Sequence, residues 1–71
     1  MSKTNLYRVK PISGEPIEVE ASDEWVAIAK VHRILTKQRV SARDVQWHGT
    51  EATCRDRSYC RPVVIWQGGS Q

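Results

Sequence analysis

Three patterns predict an α+β domain with one helix packed on one face of a four-stranded antiparallel sheet. Ile17 to Ala21 alternate apolar and acidic residues, the period of a half-buried strand. Trp25 to Lys37 carry apolar side chains at helical spacing. Two further stretches rich in Val, Trp and Tyr follow, bounded by polar and turn-forming residues. The resulting order is strand, strand, helix, strand, strand, within a single domain spanning residues 1–71.

Residues 1–5 are polar and expected to fray. Leu6 to Ile12 forms the first strand, with Tyr7 and Val9 on one face and Arg8 and Lys10 on the other. Pro11 cannot donate to a ladder, so it marks an edge or an end. Ser13-Gly14-Glu15 supplies a turn. Ile17, Val19 and Ala21 then point inward, while Glu18 and Glu20 face Arg8 and Lys10 across the outer surface of a hairpin.

Ser22 is the expected N-cap, and Asp23 and Glu24 place negative charge in the first helical turn. Trp25, Ile28, Val31, His32 and Leu35 mark the apolar face, widened by Ala27 and Ile34. Gln38 to Asp44 is a polar connection. Val45 to His48 is a strand with Val45 and Trp47 inward, Gly49 a bulge or bend, and Glu51 to Cys54 its continuation. Arg55-Asp56-Arg57-Ser58 forms a hairpin tip, and Tyr59 to Gln67 returns as one strand centred on Val63-Val64-Ile65-Trp66. Pro62 again indicates an edge or a bulge. The ordered region is expected over about residues 6–67, followed by a flexible Gly68-Gly69-Ser70-Gln71 tail. The three Trp residues occupy different elements, as expected if they meet in one core. Ile12, Val63 and Ile65 are expected on the less covered sheet face, as a surface for a partner or for a homodimer.

At 71 residues the core must be economical or its stability shared with a partner. The apolar fraction of 39% and the charged fraction of 27% are those of a folded protein. Net charge is +3 and pI about 9.2. The first 35 residues are charge-balanced, so the excess lies in the second half. A basic half favours an anionic partner, although it also serves solubility. No apolar run is long enough to span a membrane, and residues 1–9 lack the apolar centre of a signal peptide. The expected setting is the cytoplasm, with Cys54 and Cys60 reduced.

Between Trp25 and Arg43 there are five basic residues, Lys30, Arg33, Lys37, Arg39 and Arg43, and no acidic one. Lys30, Arg33 and Lys37 are spaced to line the helix side opposite the apolar face, together with Val26. Such a stripe can follow a phosphate backbone, with Arg39 and Arg43 extending it; its ordinary alternative is a solvated helix face. At the hairpin tip Arg55, Arg57 and Arg61 flank Tyr59, interleaving guanidinium forks with a ring that can stack on a base. The alternative there is a polar turn.

Cys54, Cys60, His32 and His48 have no paired-ligand zinc spacing, and no orienting group or oxyanion motif makes a Cys–His nucleophile of them. No Gly-rich phosphate loop is present. The expectation is a non-enzymatic binding protein with no cofactor and no metal.

The segment Ile17-Glu18-Val19-Glu20-Ala21-Ser22, leading from a strand directly into an amphipathic helix, gives residues 6–67 a layout similar to some small phage and mobile-element proteins, including anti-CRISPR inhibitors. That resemblance implies docking on a host protein or nucleoprotein complex in the host cytoplasm. It is one of size, charge and element order, and it transfers no functional residue. The basic chain departs from inhibitors that imitate DNA with clustered carboxylates. The leading expectation is a binder of nucleic acid or a nucleoprotein. The second is a phage-type inhibitor of a host protein complex, and the third a homodimer that buries Val63 and Ile65.

Overall fold

The computed structural model describes residues 4–68 and has six strands rather than four. They are β1 (Thr4–Val9), β2 (Ile17–Ala21), β3 (Val45–His48), β4 (Glu51–Cys54), β5 (Arg57–Cys60) and β6 (Val63–Gly68). One helix, α1 (Glu24–Thr36), follows β2, and a short 3-10 turn, Ala42–Asp44, precedes β3. The α+β class holds, but the single four-stranded sheet does not. The strands form two antiparallel three-stranded sheets, in the orders β2-β1-β6 and β3-β4-β5.

Two local causes produce the split. Gly49, at φ +64°, lets the chain reverse between His48 and Glu51, so the expected continuous strand is a hairpin. Pro62, buried and without an N–H, separates β5 from β6. β5 pairs with β4, whereas β6 crosses to pair with β1. The two sheets are nevertheless stitched together beyond the end of β1. Cys60 N–H donates to the Lys10 carbonyl at 2.8 Å and Ile12 N–H to the Ser58 carbonyl at 3.1 Å, around a Pro11–Tyr59 bridge.

Helix α1 is capped by Asp23 rather than Ser22. The Asp23 carboxylate accepts from Val26 N–H at 2.9 Å, and its carbonyl accepts from Ala27 N–H. The helix stops at Lys37, whose backbone is left-handed at φ 60° and whose N–H donates to the Arg33 carbonyl. Its apolar side packs on both sheets. Together they bury Tyr7, Val9, Val19, Ala21, Ala27, Ile28, Val31, Val45, Ala52, Cys54 and Tyr59. Removing these surfaces from water supplies the driving force for folding.

The three Trp residues do not share that core. Trp25 is 42% and Trp66 49% exposed, and only Trp47 is partly buried. Trp25 projects from the first helical turn, where it meets Trp47 edge to face at 5.3 Å between ring centroids. Ile34, expected to widen the apolar face, is exposed. Ile12, Val63 and Ile65 are exposed as expected. Thr4 and Asn5 belong to β1 rather than to a frayed end, and Gly68 closes β6. Residues 1–3 and 69–71 lie outside the described residues. Among the described residues no helix is long and apolar enough to cross a membrane.

Candidate nucleic-acid interface

An α-helix turns about 100° per residue, so Val26, Lys30 and Arg33 fall within an arc of about 60°, and Lys37 follows at the left-handed cap just past the helix. Lys30, Arg33 and Lys37 are exposed and line one groove. Lys30 is partly committed, since its ammonium donates to the Glu20 carbonyl at 2.6 Å and ties the helix to β2. Arg33 and Lys37 are not held in this way.

Three open grooves adjoin basic residues. Val19, Glu20, Lys30, Arg33, Ile34 and Lys37 line the first. Lys30 and Arg33 continue into a second with Val26, Ala29, Val40 and Ala42. The 3-10 turn then leads to a third, lined by Arg43, Asp44, Gln46, Thr53 and Arg55. Ser41 holds this turn in place: its hydroxyl accepts from Arg43 N–H, and its own N–H donates to the Asp44 carboxylate. The cap engages Asp44 and leaves the Arg43 side chain exposed. The structure thus sets Lys30, Arg33 and Lys37 around two adjoining grooves and Arg43 with Arg55 along another. Arg39 is exposed on the loop between the helix and Ser41.

Three expected contacts fall elsewhere. Tyr59 is fully buried, so it cannot stack on a base. Arg61 is committed within the protein: its Nε donates to Glu24 at 2.8 Å, and its guanidinium lies 4.9 Å from the centre of the Trp47 ring. Arg57 opens on a separate groove with Pro11, Ile12, Ser13, Asp56 and Ser58. The Trp25–Trp47–Arg61–Glu24 cluster is a contact between elements far apart in sequence, and no local pattern signals it.

Charge pairing sharpens the picture. Among the described residues the side-chain ion pairs are Arg8–Glu18 at 3.0 Å and Arg61–Glu24. Arg33, Lys37, Arg39, Arg43 and Arg55 have no such partner there. Both non-glycine residues with positive φ in the described chain, Lys37 at 60° and Arg55 at 57°, line these grooves, Lys37 the first and Arg55 the third. An L-residue in that region costs about 1–2 kcal/mol, and Gly or Asn is the usual occupant. A long cation at each position adds nothing to the turn that Gly would not.

Beneath the hairpin, His32 is buried and a 2.8 Å hydrogen bond joins its Nδ1 to the Tyr59 hydroxyl. Burial first, and then the Arg57 and Arg55 guanidiniums, hold the His32 ring below the ordinary imidazole range; Asp44 and Asp56 oppose this. Burial pushes the Tyr59 phenol up to about 12, with the neighbouring Cys54 adding to the shift. Burial also raises Cys54, so its thiol is protonated and unreactive at neutral pH. Cys54 and Cys60 are free thiols, and the register sets Cys60 opposite Glu51 and Cys54 opposite Arg57. Among the described residues no group of three or more His, Cys, Asp or Glu is placed to hold a metal ion.

A neutral buried histidine has a consequence for pH. The unfolded chain takes up a proton near pH 6.5, and the folded state resists it. Stability is therefore fully present above that pH and declines below it, by at most about 1.4 kcal/mol per pH unit. Thermal melts between about pH 7.5 and about pH 5 should show a falling midpoint for the native protein and a flatter profile for His32→Gln. Equal slopes would remove His32 as the cause.

No family model matches the chain, and neither a curated protein nor a solved structure matches it.

Proposed function

We propose that this protein is a non-catalytic binder of nucleic-acid backbone, using Arg33, Lys37, Arg43 and Arg55, with Lys30 and Arg39 at the margins of the contact. The observation that carries the reading is the placement of Lys37 and Arg55. Each occupies a left-handed backbone position that glycine would fill at lower cost, and each adds a cation to the wall of an open groove. The adjoining cations have no carboxylate partner among the described residues, which leaves them available to phosphates. With Tyr59 inside the core, contact falls on phosphates rather than on bases, and binding is expected to be indifferent to sequence. The Glu20 and Asp44 carboxylates at the groove walls limit how closely a phosphate can approach there.

Fluorescence anisotropy with a labelled random duplex, titrated across salt, tests the reading. Micromolar affinity at low salt is expected, falling steeply as salt rises. Four to six neutralised phosphates correspond to a log–log slope of about −4 to −5 on B-DNA. Absence of binding to duplex, single strand and RNA at low salt would overturn it.

A further inference from the structure

The free sheet edges of this fold are protected in different ways, with one exception. β2 carries Glu18 and Glu20 along its edge. β3 is only four residues long and presents Gln46 and His48 outward. The open side of β5 is taken by the chain around Pro11. β6 has none of these protections. It lies at the end of the β2-β1-β6 sheet, and its six residues include no charge and no proline. Four consecutive large apolar side chains on it are exposed: Val63 at 60%, Val64 at 44%, Ile65 at 39% and Trp66 at 49%. Among the described residues its backbone bonds to no segment other than β1.

The register sets the face of each side chain. Arg8 pairs with Val63, Tyr7 with Val64 and Leu6 with Trp66, so Ile65 is an extra residue opposite the Leu6–Tyr7 step. Cross-strand partners share a face. Val63 and Trp66 therefore lie on the outer face with Arg8 and Leu6, and Val64 lies on the helix side with Tyr7.

We propose that β6 pairs antiparallel with β6 of a second copy of this chain, giving a continuous six-stranded sheet. The occupant follows from the edge itself. A charged strand would bury unpaired charge against Val63–Trp66, whereas β6 is itself uncharged, so pairing buries none. Pairing two copies of β6 sets Val, Ile and Trp side chains beside one another, and β-branched and aromatic neighbours are favourable across strands. Isologous pairing consumes the exposed edge of both copies and closes, whereas β6 against the acidic β2 would propagate as a filament. A single strand edge is a small interface, so the dimer is in exchange with monomer. This inference does not depend on nucleic-acid binding.

Sedimentation equilibrium from micromolar to near-millimolar protein tests it. The mass should rise from the 8.1 kDa monomer toward twice that value and no further. Ile65→Lys should weaken association at least about tenfold with an unchanged circular dichroism spectrum. In a Cys60→Ser background, at least one cysteine placed singly along Val63–Trp66 should form a disulfide-linked dimer on mild oxidation, whereas Glu18→Cys should not. A monomer throughout overturns the proposal, and so does a dimer that Ile65→Lys leaves intact. Growth beyond the dimer overturns the two-fold closure.

Discussion

Tyr59→Ala is expected to leave the protein largely unfolded at room temperature. Tyr59 is the largest of the fully buried side chains, on the strand that the chain around Pro11 stitches to the other sheet. Truncating a buried aromatic to Ala costs about 3–5 kcal/mol. A domain of 71 residues has roughly 4–11 kcal/mol in total, and small cores tend to the lower end. Tyr59→Phe separates the two roles of the side chain. It keeps the ring but leaves the His32 Nδ1 without its partner in the core, for a loss of about 1–3 kcal/mol. Urea unfolding followed by Trp fluorescence measures both. A Tyr59→Ala variant within about 1 kcal/mol of the native protein would show that this residue does not hold the two sheets together.

Reversing Arg33, Lys37, Arg43 and Arg55 to Glu is expected to lower duplex affinity by at least about a hundredfold while leaving the fold intact. The four side chains are exposed and belong to no ion pair among the described residues, so their loss removes little from the folded state. Each lost phosphate contact also reduces the salt slope by about one unit. Lys10→Glu, an exposed cation outside the grooves, should change affinity only slightly. The glycine variants give a sharper readout. Lys37→Gly and Arg55→Gly relieve a left-handed backbone and lose some chain entropy, for a net gain of up to about 1 kcal/mol each. Stability should hold or rise as affinity falls. If both properties fall together, these side chains stabilise the turns and the argument for binding weakens.

The parts of the fold visible in the sequence are those set by local periodicity. Alternation over Ile17–Ala21 and the helical spacing after Asp23 describe β2 and α1 with small errors at the cap. The division into two sheets was not legible, because the apolar content from Tyr59 to Gln67 reads as one strand. Only the Arg61-Pro62 step hints at a break, and which sheet each half joins depends on partners far away in sequence. The basic helix stripe was legible because its geometry is intrinsic to α1. Tyr59 was misplaced for a physical reason: Arg57 and Arg61 share its strand parity and pointed the alternation outward. Its inward direction shows only from its cross-strand partner, the small buried Ala52. Trp25 sits near the apolar arc of the helix, yet it meets Trp47 edge to face and stays 42% exposed, so angular position overstated its burial.

The pairing of β1 with β6 joins Thr4 to Gly68, almost the whole length of the described chain. During synthesis β1 finds β2 within a few residues, but its other neighbour, β6, is made some fifty residues later. At about 5–20 residues per second, the far side of β1 waits on the order of several seconds for its partner. Over that interval the nascent chain carries an unfilled strand position beside Leu6 and Tyr7. An uncharged apolar strand then completes the β2-β1-β6 sheet, and a ribosome paused shortly before Val63 would leave the far edge of β1 open to neighbouring chains on the same message.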